Sequence, residues 1–97
     1  MRNLKDEIGI IIKFCKEFNV PYWKTPYEKR KTPLNFYILY EINDGSLIVN
    51  LYKYKEDENF DENDLIKSIS IELYDNIPYI PLYEILDNNF GDIINNI

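Results

Sequence analysis

Residues 35–54 read NFYILYEINDGSLIVNLYKY, and this stretch decides the fold. Two runs rich in β-branched and aromatic residues, 35–42 and 46–54, flank the dipeptide Asp44-Gly45. Such residues favour strands, and Asp-Gly is a favoured pair for the two-residue type I′ turn that joins antiparallel strands. The stretch therefore predicts a β-hairpin over 35–54.

The register of this hairpin can be worked out from the turn. A two-residue loop at Asp44 and Gly45 creates cross-strand pairs that divide between two faces. The first face is apolar and holds Ile42 with Leu47, Tyr40 with Val49, and Ile38 with Leu51. The second face is mixed and holds Glu41 with Ile48, Leu39 with Asn50, and Tyr37 with Tyr52. A slip of one residue would place Glu41 opposite Leu47 and mix the two faces, so we expect the two-residue turn.

Hydrophobic periodicity outside the hairpin predicts one more strand and two helices. Apolar residues at helical spacing predict a helix over 3–18, with Asn3 as its cap, and its apolar arc of roughly 200° predicts two packing neighbours. Alternation of apolar and polar residues predicts a strand over 67–74. A second apolar stripe predicts a C-terminal helix over 81–97, with Gly91 as a candidate break near its middle.

These elements predict a single domain, 1–97, of the α+β class. The expected architecture has two layers in the order α-β-β-β-α: a three-stranded antiparallel meander with the N- and C-terminal helices packed on one face. Two connectors remain, a basic aromatic loop over 19–34 and an acidic loop over 55–64. The first is long for so small a domain, and long loops often carry function.

Charge is divided unevenly along the chain. Residues 1–55 carry ten Lys/Arg and six Asp/Glu, whereas residues 56–97 carry one Lys and eleven Asp/Glu. Asymmetry of this kind indicates an electrostatic partner surface, although an acidic surface that only maintains solubility is the commoner explanation. The apolar run over 8–12 is too short for a membrane span.

Several kinds of chemistry lack their usual residues in this sequence. The chain has no histidine, which removes the usual general base, a common metal ligand and every Ser-His or Cys-His nucleophile pair. Its single cysteine, Cys15, falls on the apolar side of the first helix, where a buried hydrophobic role is expected. The three glycines are scattered and form no phosphate-binding loop. We therefore predict a protein that is not an enzyme and needs no cofactor.

The acidic loop contains one pattern that is close to a metal site. Acidic and amide residues alternate at the spacing of a calcium-binding loop, at Asp57, Asn59, Asp61 and Asn63. The calcium-loop pattern then requires glycine and glutamate where this chain has Glu62 and Ser68. We therefore predict no metal site here.

The acidic loop is the first candidate binding surface. Its carboxylates would suit a basic groove on a partner protein. The residues assigned to this surface are Glu56, Asp57, Glu58, Asp61, Glu62 and Asp64. The alternative is that these side chains are solvated and have no partner protein.

The second candidate surface combines aromatic rings and cations from the basic aromatic loop and from the face of the sheet opposite the helices. Tyrosine and tryptophan are favoured at interfaces, and Lys and Arg would contact phosphates or an acidic partner. The residues assigned to it are Tyr22, Trp23, Tyr27, Lys29, Arg30, Lys31, Tyr37, Tyr52 and Tyr54. In the alternative interpretation, Tyr22 and Trp23 fold back to fill the core, and the loop or a homodimer mate covers the tyrosines of the sheet.

Length, acidity, an amino-acid composition typical of AT-rich genes and the lack of catalytic residues together suggest a class of function. They are typical of small inhibitors encoded by phages, viruses and mobile elements, such as anti-CRISPR proteins and toxin-neutralising immunity proteins. We expect a cytoplasmic protein, in the host cell if viral, that inhibits a protein partner such as a nucleic-acid-handling enzyme. Two alternatives stay open: a small nucleic-acid-binding protein that uses residues 22–31, and a viral structural or assembly component.

Overall fold

A four-stranded sheet forms the centre of the molecule. The computed structural model describes residues 3–23, 36–54, 61–74 and 80–95, with only the backbone of Trp23 included. The strands lie side by side in chain order: β1 (Tyr22–Trp23), β2 (Phe36–Asn43), β3 (Ser46–Lys53) and β4 (Leu65–Glu72). The strands β2, β3 and β4 form the antiparallel meander that the sequence predicts.

The hairpin has the register expected from its turn. Ile42 pairs with Leu47, and each of the other five predicted pairs is also present. Asp44 and Gly45 have φ angles of 48° and 82°, so both central residues of the turn are left-handed, as a type I′ turn requires. This turn sends apolar side chains of both strands to the same face of the sheet.

The strand β1 is an addition to the expected sheet. It runs parallel to β2, with Tyr22 opposite Ile38 and Trp23 opposite Leu39, and the Ile38 amide donates to the Pro21 carbonyl at 2.9 Å. The sequence instead predicts that these residues belong to the basic aromatic loop over 19–34. Two residues are too few to show a period of two, which is why the alternation test gives no signal for β1.

The strand β4 begins two residues before the predicted strand, because a short 3₁₀ turn over Glu62–Asp64 leads directly into it. Leu51 pairs with Lys67 and Tyr52 with Leu65, so Ile66 is the extra residue of a β-bulge. The strand ends at Glu72, and the Leu73 amide then donates to the carbonyl of Gly45 at 2.8 Å.

The first helix, α1, spans Leu4–Phe18. The side chain of Asn3 accepts hydrogen bonds from the amides of Lys5 at 3.0 Å and Asp6 at 3.3 Å, which is the capping arrangement expected from the sequence. The helix ends at Asn19, which takes the left-handed conformation with φ 57°.

The C-terminal helix consists of α2 (Leu82–Leu86), a π-helical segment (Asp87–Gly91) and α3 (Asp92–Asn95). Gly91 therefore does not break the helix. In the five residues that end at Gly91 the helix is wider, because a π-helix bonds residue i to i+5 where an α-helix bonds i to i+4. The side-chain amide of Asn89 donates to the carbonyl of Ile85 at 2.7 Å and helps to satisfy the backbone of the widened turn. Residues 96–97 of the predicted helix lie outside the described residues.

The main core lies between the sheet and the two helices. Its buried residues from the helices include Ile11, Phe14, Cys15, Leu82, Leu86, Phe90 and Ile94. Those from the sheet include Ile38, Tyr40, Leu47, Val49, Leu51 and Ile71. The Phe14 ring also meets the Tyr83 ring edge-on at 5.8 Å, so α1 touches both the sheet and α2, as its wide apolar arc predicts. The predicted fold class, a two-layer α+β domain, is confirmed.

Within the described ranges, none of the helices combines the length and the hydropathy that a membrane-spanning helix needs.

Candidate functional site

Most of the predicted basic aromatic surface lies outside the described residues. This applies to Tyr27, Lys29, Arg30 and Lys31, and to the side chain of Trp23, whose backbone pairs with β2. Tyr22 is half-buried and packs against the main core. For Tyr22, the structure matches the alternative in which a ring of this stretch covers hydrophobic surface.

Part of the predicted acidic surface has a structural role. Glu56, Asp57 and Glu58 lie outside the described residues. Asp61 caps the 3₁₀ turn, where its Oδ1 accepts from the Asn63 amide at 2.8 Å. Asp64 is buried, although the sequence places it in an exposed loop, because the 3₁₀ turn carries it to the start of β4. Glu62 alone among these three described carboxylates is exposed.

The tyrosines of the outer face, the face of the sheet opposite the helices, form a second and smaller core. Tyr37 and Tyr52 are buried and stack with ring centroids 5.2 Å apart, while Tyr54 is half-buried and meets Tyr37 edge-on at 6.4 Å. Leu39 completes this tyrosine cluster. These residues lie on the face of the sheet that alternation predicts, the face opposite the helices. The sequence also predicts that they are exposed there. They are instead buried within a single copy of the chain, which needs no dimer mate for this.

The surroundings of the tyrosine cluster keep its hydroxyls protonated. Burial, with smaller contributions from the nearby Tyr52, Asp64 and Asp61, raises the pKa of Tyr37 to about 12. Burial also raises the pKa of Tyr52, with Glu41 and Glu62 adding to the effect and a hydrogen bond to Asn50 opposing it. Both hydroxyls are therefore neutral at neutral pH.

The remainder of the outer face, towards the hairpin turn, is open. The register places Glu41, Ile48 and Ser70 in one row across β2, β3 and β4, and Asn43, Ser46 and Glu72 in the next. Ile48 and Ser46 are half-buried, and the other four side chains are exposed. We call these two rows, together with Asp44 and Tyr74 at the turn, the open half of the outer face.

The open half combines an aromatic ring with carboxylates. Tyr74 is 69% exposed, and its ring lies so close to Gly45 that a Cβ there would be 2.9 Å from it. Glu41, Asp44 and Glu72 are exposed, and Glu72 accepts a hydrogen bond from the Ser46 hydroxyl at 2.9 Å. None of the described residues of this surface carries a positive charge.

The sequence does not predict the open half as a binding surface. The predicted register of the hairpin already places Glu41 beside Ile48 on the mixed face. This pairing of a charged residue with an apolar one is the signal in the sequence that could have indicated the open half. On the opposite face of the sheet, side chains near the hairpin turn also differ in exposure. Ile42 is 50% exposed, whereas its partner Leu47 is fully buried. The described part of β1 pairs only with Ile38 and Leu39, so it does not reach this end of β2.

Side chains of α1 and α2 also contact each other at the surface of the molecule. The Tyr83 hydroxyl donates a short hydrogen bond to Glu17, and the Lys13 ammonium lies 5.9 Å from the centre of the Tyr83 ring. The hydrogen bond to Glu17 raises the pKa of Tyr83. This arrangement links the two helices.

No protein-family model, curated protein or solved structure matches this chain.

Proposed function

We propose that this chain is a non-enzymatic protein that acts by binding another protein, as a small inhibitor encoded by a phage, virus or mobile element. The type is that of anti-CRISPR proteins or toxin-neutralising immunity proteins. The partner presents a basic groove, such as that of a nucleic-acid-handling enzyme, and the inhibitor occupies it with carboxylates.

The observation that supports this proposal is the sign of the exposed charges. The described ranges expose nine carboxylates and five lysines, and three of those lysines lie on α1. From residue 61 onwards, five carboxylates are exposed against Lys67 alone. They are Glu62, Glu72, Glu84, Asp87 and Asp92. A surface with this excess attracts a cationic partner and repels nucleic acid, which favours the inhibitor over the nucleic-acid-binding alternative.

The test is capture of a partner followed by inhibition of its activity. Reversal of the five exposed carboxylates to lysine is expected to abolish capture, because it inverts the charge complementarity. Asp61 and Asp64 are left unchanged, since the first caps a turn and the second is buried, and their loss would disturb folding. The matched control reverses the three α1 lysines, Lys5, Lys13 and Lys16, to glutamate and is expected to retain capture.

Two results would count against the proposal. If the carboxylate reversal captured and inhibited the same partner as the parent chain, the acidic mechanism would be wrong. If the parent chain instead bound a single-stranded oligonucleotide at low salt, with affinity falling steeply as salt rises, the nucleic-acid alternative would replace it.

A further inference from the structure

We propose that the open half of the outer face is a docking site for an extended cationic segment of a partner protein. This inference rests on the proposed function. The overall excess of negative charge does not specify which surface binds the partner or which chemical groups the partner presents, and the docking site specifies both.

The tyrosine cluster and the open half are parts of one sheet face, yet only the first is covered. Tyr37 is fully buried at one end of β2, whereas Glu41, four residues further on, is exposed. The exposed end of this face is the part that a partner segment can contact. Ile48 lies in the middle of the open rows, half-buried and between Glu41 and Ser70.

Charge identifies the occupant. Three carboxylates surround the apolar and aromatic groups of the open half, namely Glu41, Asp44 and Glu72, and the described residues there include no lysine or arginine. An exposed aromatic ring with uncompensated carboxylates at its rim suits a partner segment that carries arginine or lysine around an apolar residue. A nucleic acid or an anionic membrane surface would be repelled by the same groups.

The strand geometry sets the spacing of the cations. Glu41 and Glu72 lie two strands apart and two residues out of register. With strands about 4.8 Å apart and a rise of about 3.4 Å per residue, their Cα atoms are about 12 Å apart. In an extended segment, residues i and i+4 are about 14 Å apart and face the same side. Arginines at i and i+4 therefore reach both carboxylates, and an apolar residue at i+2 meets Ile48.

The probe that follows from this spacing is the peptide acetyl-Gly-Arg-Ser-Leu-Ser-Arg-Gly-amide. Its control has the same composition with the two arginines adjacent. Titration of the isotope-labelled full chain at low ionic strength, followed by amide chemical shifts, is expected to move signals within residues 41–48 and 70–74 most. The control peptide is expected to bind more weakly, because adjacent arginines face opposite sides of an extended chain.

Variants assign the contact to particular carboxylates. Glu41→Gln combined with Glu72→Gln is expected to weaken the peptide about fivefold, which corresponds to two exposed charge pairs. The matched control, Asp6→Asn with Glu17→Gln, removes two exposed carboxylates from α1 and is expected to leave affinity within about twofold. All four side chains are exposed, so the variants should keep the parent fold, and their amide spectra check this.

The outcomes separate this inference from the proposed function. Equal weakening by both pairs of substitutions, equal binding of both peptides, or shifts centred on residues 84–92 would each overturn the docking site. Capture of a partner that is inhibited by the parent chain and equally by the Glu41→Gln, Glu72→Gln variant would overturn the site and leave the proposed function standing. Peptide binding as expected, without inhibition of any captured partner, would support the site and count against the proposed function.

Discussion

Replacement of Gly45 by alanine tests the feature on which the whole meander depends. Gly45 is the second central residue of the type I′ turn and has a φ of 82°, a conformation that glycine adopts freely and L-residues rarely adopt. Alanine at this position leaves the length of the turn unchanged and adds one methyl group. The expected result is a loss of stability with the fold retained.

The magnitude comes from two contributions. A residue with a Cβ pays about 1–2 kcal/mol in the left-handed region. The new Cβ would also lie 2.9 Å from two ring carbons of Tyr74, so that ring must move. Tyr74 is 69% exposed and can turn towards solvent, so the second contribution is small beside the first. We expect the free energy of unfolding to fall by about 1.5 kcal/mol, which for a chain of 97 residues lowers Tm by about 6–12 °C.

The assay is urea unfolding followed by circular dichroism, with Gly9→Ala as the matched control. Gly9 lies within α1, and apart from its chain neighbours and the backbone of the helix itself, a Cβ at that position would have no heavy atom within 4 Å. The same chemical change should therefore raise stability there by about 0.5–1 kcal/mol, because alanine restricts the unfolded chain and favours helix. If Gly45→Ala lowers the free energy of unfolding while Gly9→Ala raises it, the loss at Gly45 is not a general effect of adding a methyl group.

A second variant identifies the cause of the loss. Asparagine tolerates the left-handed conformation, so Gly45→Asn should retain more stability than Gly45→Ala even though its side chain is larger. A Gly45→Ala protein as stable as the parent chain would refute the left-handed turn. A Gly45→Asn protein less stable than Gly45→Ala would place the cost in the contact with Tyr74.

Three further predictions concern buried groups. Leu86→Ala, at a fully buried position between helix and sheet, should lower the free energy of unfolding by about 2–5 kcal/mol in the same urea assay, and a loss below 1 kcal/mol would contradict its place in the core. Burial raises the pKa of Cys15 to about 12, so the folded chain should not react with a thiol reagent at pH 8, whereas the urea-unfolded chain should react at once; rapid reaction of the folded chain would contradict its burial. Burial likewise raises the pKa of Tyr37 to about 12, so the folded state keeps a proton that the unfolded state loses near pH 10, and stability should fall as pH rises from about 10 to 12. Tyr37→Phe should reduce that slope, and an unchanged slope would show that Tyr37 does not cause it.

The hairpin could be predicted from the sequence because two independent signals agree. The Asp-Gly pair fixes the loop length, and only that loop length separates the apolar from the mixed face. The strand β1 could not be predicted, because a two-residue parallel pairing leaves no period in the sequence. The π-helical segment was similarly hidden, since the amphipathic stripe over 81–97 continues through it and a glycine normally indicates a break.

The candidate site shows a different limit. Alternation assigns each side chain to a face of the sheet, but whether that face is covered depends on packing between residues far apart in sequence. Tyr37 and Glu41 belong to the same face by alternation, yet one is buried and the other exposed. Asp64 shows the same limit, because an acidic run predicts an exposed loop and a single 3₁₀ turn is enough to bury one of its members.

The two parts of the outer face have different consequences for stability and for binding. The tyrosine cluster contributes buried aromatic area and stacking, so substitutions at Tyr37 or Tyr52 act first on folding. The carboxylates of the open half are exposed, and exposed charges contribute little to the free energy of unfolding. Substitution of Glu41 and Glu72 can therefore change the affinity for a cationic segment while the fold stays intact. The same independence means that a partner-binding defect caused by loss of Tyr37 or Tyr52 would be evidence about folding, and only a defect caused by the exposed carboxylates would be evidence about the docking site.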